Sequence, residues 1–106
     1  MKPKIFSDSF CAQKLKVLAD ETRLSVLKIL MDGPKHVGEL NDVLKLDQSL
    51  LSHHLKVLRD ESLVEATRDG KAVLYNLAPG VEGSKSGKAI DIGCCQLSFD
   101  RKNLIA

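Results

Sequence analysis

The chain has no tryptophan, one tyrosine and three phenylalanines. With aromatics at 4% of 106 residues, a core must be built mostly from Leu, Val and Ile. No apolar run is long enough to span a membrane, and Met1-Lys-Pro-Lys leads into polar sequence rather than a signal peptide. The expected location is therefore cytoplasmic, where Cys11, Cys94 and Cys95 are kept as thiols. No internal repeat or low-complexity tract is present. A Cys-x-x-Cys pair is missing too, as is any nucleophile with a base placed beside it by a motif, so a thiol enzyme is a poor fit and no cofactor is implied. The net charge of +2 is too small to argue for nucleic acid by itself, and the placement of the charges decides more.

What is present centres on residues 46–64. Leu51, Leu55 and Leu58 recur at i, i+4, i+7, the stripe that seats one helical face on a core. Asp47 is placed as N-cap, and Leu46 with Leu51 occupies the positions of a hydrophobic staple. The outer face carries Gln48, Ser49, Ser52, His53 and Lys56, donors that suit base edges and phosphates. A polar face without a partner is the commoner meaning of such a helix, and the flanking segments change the balance. Upstream, Val37, Leu40 and Leu44 mark a short helix joined to the first by only Lys45 and Leu46. Downstream, strand-like residues from Leu63 to Leu77 flank Asp69-Gly70, a strong hairpin signal, with Arg68 and Lys71 at its tip. The pattern predicts a mainly α winged helix-turn-helix with a β-hairpin wing, whose tip cations lie beside the duplex backbone.

Taken in order, residues 1–6 form a loose arm, and a first helix runs from about Ser9 to Ala19 with Cys11, Leu15, Leu18 and Ala19 on one side. Asp20 caps a second helix with Leu24, Leu27, Leu30 and Met31 inward, closed by Gly33-Pro34. Residues 1–79 make the DNA-binding part, and residues 80–106 form a linker and a dimerising, sensing tail of the same domain. Gly80–Lys88 reads as linker. Ala89–Phe99 reads as one extra strand, with a bulge at Gly93 keeping Ile90, Ile92, Cys95, Leu97 and Phe99 on one face.

Leu18-Ala-Asp-Glu-Thr-Arg-Leu-Ser-Val-Leu, Val37-Gly-Glu-Leu, Leu51-Ser-His-His-Leu-Lys-Val-Leu-Arg and Arg68-Asp-Gly-Lys with Tyr75-Asn-Leu together resemble the ArsR/SmtB family of bacterial repressors. The likeness covers roughly residues 14–79. It implies a homodimer that holds double-stranded operator DNA and leaves it when an inducer binds or modifies it. It also makes the helix after Asp47 the recognition helix. Ser62 stands where the family usually ends that helix with glycine.

The family's metal sites do not carry over. Asn41 and Asp42 follow Glu39-Leu40 where a thiol site would have cysteines, and all three histidines, His36, His53 and His54, precede the wing. His53 and His54 point about 100° apart on a helix and cannot chelate one ion together. His53 is expected to face DNA and His54 to pack. No metal site is expected.

Cys94 and Cys95 are the candidate sensing residues, although free cysteines are often no more than small buried hydrophobes. Hydrogen peroxide can oxidise one thiolate to a sulfenic acid, which its neighbour resolves to a Cys94–Cys95 disulfide that a cellular thiol reductant then reopens. Adjacent Cα atoms lie about 3.8 Å apart, below the usual disulfide span of about 4.4–6.8 Å, so that bond would be strained. Alternatively, the pair can bind arsenite or another thiophilic species with Cys11 as a third ligand. The tail pair resembles the cyanobacterial redox-sensing branch of the family, which favours the peroxide reading. In that reading reduced protein binds DNA and oxidised protein does not.

Overall fold

A computed structural model describes residues 7–83 and 89–99. The expected arm at residues 1–6 lies outside them. Helix α1 spans Asp8–Leu18, and the Ser7 hydroxyl caps it by accepting from the Phe10 amide at 3.1 Å. It begins one residue earlier than expected, and its inward side differs. Val17 and Leu18 are buried, whereas Leu15 is 43% exposed and Ala19 is exposed. The inward stripe is Cys11, Lys14 and Leu18 at i, i+3, i+7. Lys14 belongs to it: its side chain is only 13% exposed, and its ammonium reaches Glu61.

Helix α2, Glu21–Leu30, opens on Asp20, whose carboxylate accepts from the Arg23 amide at 3.0 Å. Val26, Leu27 and Leu30 are buried, and Leu24 and Met31 pack partly against the same cluster. Gly33 follows with φ of 128°, a conformation that glycine adopts without penalty. A two-residue strand β1, Lys35–His36, which the pattern of residues had not indicated, leads into α3, Val37–Leu44.

Lys45 takes a left-handed conformation (φ 52°) between α3 and α4, Gln48–Asp60. Asn41 locks this turn with both ends of its amide: Oδ1 accepts from the Leu46 amide at 2.8 Å, and Nδ2 donates to the Leu46 carbonyl at 3.0 Å. Asp47 occupies the N-cap position, but its carboxylate makes no capping bond. That end of α4 is exposed, so water can serve its free amides. Leu51, Leu55 and Leu58 are buried to 1% or less, as their spacing predicts.

The end of α4 is a Schellman cap on a non-glycine residue. The Ser62 amide donates to the Arg59 carbonyl at 2.9 Å and the Leu63 amide to the Leu58 carbonyl at 3.0 Å, with Ser62 at φ 59°. A side chain pays a steric penalty in that conformation, so Ser62→Gly is expected to stabilise the fold by about 1 kcal/mol. A higher urea midpoint at unchanged slope checks this, and an unchanged midpoint would count against the cap.

The wing is β2, Val64–Asp69, paired with β3, Ala72–Leu77, and β1 joins the other edge of β3. Asp69 pairs with Ala72, so the two loop residues are Gly70 and Lys71 rather than Asp69 and Gly70. Only Gly70, at φ 65°, has a positive φ, as a type II′ turn requires at its first central position.

The tail departs from expectation. Instead of one bulged strand, β4 (Ala89–Asp91) and β5 (Gln96–Ser98) form an antiparallel hairpin, and Gly93, Cys94 and Cys95 lie in its turn. Gly93 has φ of 100°, and the Asp91 carboxylate accepts from its amide at 2.8 Å. The Ile92 amide closes the turn on the Cys95 carbonyl at 3.0 Å. Of the expected linker, Val81 is buried, and Val81 and Gly83 bond the backbone of Asp91 and Ala89; residues 84–88 lie outside the described residues. Val81, Ile90 and Ile92 join the cluster that holds Leu27 and Leu58, so the tail packs on the same core. Among the described residues, no helix is long and apolar enough to cross a membrane.

Candidate nucleic-acid interface and thiol cluster

Burial divides α4 into two faces. Leu51, His54, Leu55 and Leu58 are inward, and Gln48, Ser49, Ser52, His53 and Lys56 are exposed. Gln48, Ser49 and Ser52 spend no side-chain hydrogen bond on another described residue, so their donors are free for a ligand. Lys56 is occupied by Asp60 at 2.8 Å, and that bond holds the Asp60 carboxyl below its usual range. Both partners are well exposed, so a phosphate can displace Asp60 at little cost. Arg68 and Lys71 are exposed at the wing, where the sequence put them.

His54 packs as expected, but into a polar joint. The Arg23 guanidinium donates to His54 Nδ1 at 3.2 Å and, through Nε, to the Val17 carbonyl at 2.6 Å. A guanidinium can only donate, so the His54 proton is assigned to Nε2. The Arg23 amide, accepted by Asp20, is the main reason that carboxyl sits below its usual range. One arginine therefore ties α1, α2 and α4 together. The signal was available: Arg23, Val26, Leu27 and Leu30 share the spacing i, i+3, i+4, i+7, and a cation on such a stripe needs a buried partner.

His36 fastens the wing to α3. Its Nε2 meets Asp69 at 2.8 Å, and its Nδ1 meets Glu39 at 3.2 Å. The bond to Asp69 is the largest cause raising the His36 pKa above the ordinary imidazole value of 6.5. Charged His36 makes the stronger contact, so the tether is complete below pH 6.5 and is lost as pH rises through the raised value. Asp69→Ala should return the His36 titration, followed by its ring-proton NMR shifts, toward 6.5. An unmoved midpoint would show that the contact is absent in solution.

The thiols differ from the expected pairing. Cys11 and Cys94 form the disulfide, with Cα atoms 5.9 Å apart, and Cys95 is free and exposed. This separation falls within the ordinary span that adjacent residues cannot reach. Cys11 is reached across 83 residues of sequence, and no local pattern could have indicated the partner. All three sulfurs lie within 4.8 Å of one another, a spacing that suits a soft ion once the disulfide is reduced to thiols. One turn along α1, Gln13 Nε2 donates to the Glu61 carboxylate at 3.1 Å, and Lys14 reaches the Glu61 carbonyl at the end of α4. The same helix therefore carries a bonded sulfur and a grip on the end of α4.

The family profile for bacterial regulatory proteins of the arsR family matches residues 20–66. The HTH-type transcriptional regulator CmtR of Mycobacterium tuberculosis is 36% identical over 85 residues, which cover 80% of this chain and 72% of CmtR. The chain belongs to the arsR family. The transcriptional activator HlyU of Vibrio cholerae is 44% identical over 64 residues, 60% of this chain but only 59% of HlyU. Among solved structures, reduced HlyU from the same species superposes with a TM-score of 0.64 at 38% identity, covering 76% of this chain and 79% of that one. The homodimeric winged helix-turn-helix DNA-binding domain Mb0332 of Mycobacterium bovis gives 0.62 at 29% identity, over 69% and 73%. These relatives are named as transcriptional regulators, and the winged helix-turn-helix expected from the sequence is the fold they share.

Proposed function

We propose that this arsR-family regulator is a transcriptional repressor that binds operator DNA as a homodimer and releases it when its thiols are oxidised. The observation that carries the proposal is the pairing of an uncovered donor face on α4 with a cysteine cluster whose Cys11 lies on the helix that grips the end of α4. Ser52 and His53 read base edges, Gln48, Ser49 and Lys56 reach bases or phosphates, and Arg68 and Lys71 hold the backbone beside the groove. One chain offers one such helix, and two in successive major grooves supply operator affinity. Leu15, exposed on α1, and the tail hairpin supply the dimer surface.

In the redox step, hydrogen peroxide oxidises one thiolate to a sulfenic acid and leaves as water. A second thiol then attacks that sulfur, expelling a second water and closing the disulfide. In this reading the bond that closes is Cys11–Cys94 rather than the expected Cys94–Cys95, an assignment supported by the pairing of those two sulfurs. A cellular thiol reductant supplies two electrons to reopen it. The vicinal pair, similar to that of the cyanobacterial redox sensor RexT, supports peroxide as the signal.

The proximity of three sulfurs favours a second reading, in which the reduced cluster takes arsenite. Three thiols replace the three hydroxyls of arsenous acid, releasing three waters without any change of oxidation state. The deciding experiment titrates a duplex, selected from a random library by reduced protein, with protein kept reduced, treated with peroxide, or treated with arsenite. Release by peroxide supports the redox reading, release by arsenite alone supports the second, and no duplex selected in any state rejects the regulator.

Contact roles separate in the same assay. Arg68→Ala or Lys71→Ala should weaken selected and random DNA alike, with a shallower salt dependence. Ser52→Ala or His53→Ala should cost more on the selected duplex, by about 1–3 kcal/mol where a base contact is lost. Equal losses on both duplexes for the α4 variants would show that this helix does not read sequence.

A further inference from the structure

We propose that Cys94 and Cys95 are interchangeable partners for Cys11, so that the bond joining α1 to the tail turn moves between them by thiol–disulfide exchange. The inference rests on the redox reading of the same cluster. Cys11 is set by its helix, which is capped at Ser7 and held at Gln13 and Lys14 by Glu61. Cys94 and Cys95 are consecutive residues of one hairpin turn, next to Gly93 at φ 100°. The free Cys95 sulfur lies within 4.8 Å of both bonded sulfurs and is exposed.

Two attacks are open to the Cys95 thiolate. Attack at Cys94 Sγ would join residues whose Cα atoms are only about 3.8 Å apart, below the span of an unstrained disulfide. Attack at Cys11 Sγ meets no such limit. It forms Cys11–Cys95, breaks Cys11–Cys94 and leaves Cys94 as the thiolate, with no net electron transfer and no external reagent. The thiolate is the attacking species, so acid quenching stops the exchange. The turn thus always presents one free thiol beside the bond, and Cys11 is the only obligate member.

The test oxidises reduced Cys94→Ser, Cys95→Ser and Cys11→Ser proteins with hydrogen peroxide, quenches in acid, alkylates after denaturation and locates the link by fragment-ion mass spectrometry. Both tail variants should form a link to Cys11, at rates within tenfold of each other, and Cys11→Ser should form no helix-to-tail link. In oxidised wild type held at alkaline pH before the quench, alkylation should label Cys94 in some molecules and Cys95 in others. Cys94→Ala, run in parallel, guards against damage to the turn from the serine hydroxyl. If neither Cys94 variant links Cys11 to Cys95, or if both are slower than Cys95→Ser by more than tenfold, interchange is overturned. Wild type that oxidises fully yet keeps its DNA affinity would instead remove the redox reading and leave the exchange standing.

Discussion

Leu58→Ala is expected to cost about 2–5 kcal/mol of stability, the range for truncating a buried leucine in a core that cannot collapse around the gap. Leu58 is fully buried, and its carbonyl also accepts the Leu63 amide that closes the α4 cap. The core has little to absorb the loss. Its nine most deeply buried side chains are Leu, Ile and Val, none of them aromatic. Against a total of about 5–15 kcal/mol for a typical domain, such a loss leaves a substantial unfolded fraction. Urea unfolding followed by circular dichroism measures it, and Leu50→Ala is the control. Leu50 lies on the same helix but is 44% exposed, so its truncation should stay within about 0.5 kcal/mol. Equal costs for the two would mean that α4 is rotated from the orientation described, and the exposed donor face with it.

That orientation was legible in the sequence because α4 and α2 have a consistent 3.6-residue period and because Asp20, Gly33 and Gly70 punctuate the chain as their chemistry requires. Three features were not legible, each for a different physical reason. Lys14 occupies an inward position that a hydrophobic count passes over, since a charged group can be buried when a carbonyl meets it. Gly93 permits either a bulge or a turn, and the Asp91 carboxylate bonding its amide goes with the turn. The strand β1 is two residues long and exists through its pairing with β3, so it carries no period of its own. The candidate site divides in the same way. The exposed residues of α4 and the wing follow from local pattern, whereas the Cys11–Cys94 bond joins the two ends of the described chain.

Cys11→Ser is expected to abolish the response to peroxide while leaving reduced-state DNA binding intact. The expected Cys94–Cys95 disulfide would leave Cys11 out of the peroxide response, with a part only as a third ligand to a thiophilic species. The fold gives Cys11 the central place through α1. When its sulfur is bonded to the tail turn, α1 is fixed to the β4–β5 hairpin; when the bond opens, α1 is held by packing and by its contacts to Glu61 and Arg23. Glu61 is the C-cap of α4, and Arg23 reaches α4 through His54, so a shift of α1 bears on α4 at two points. In the proposed dimer, joined through α1, the same shift would change the spacing of the two α4 helices without altering any residue proposed to touch DNA. Each tenfold loss of affinity needs only about 1.4 kcal/mol of preference between the two states. Oxidised wild type should therefore bind its selected duplex at least tenfold more weakly than reduced protein, whereas Cys11→Ser should change less than twofold. Fluorescence anisotropy at one fixed salt concentration measures both, since affinity for DNA varies steeply with salt. A Cys11→Ser protein that releases DNA on peroxide treatment as wild type does would mean that the signal arises within the tail and does not pass through α1.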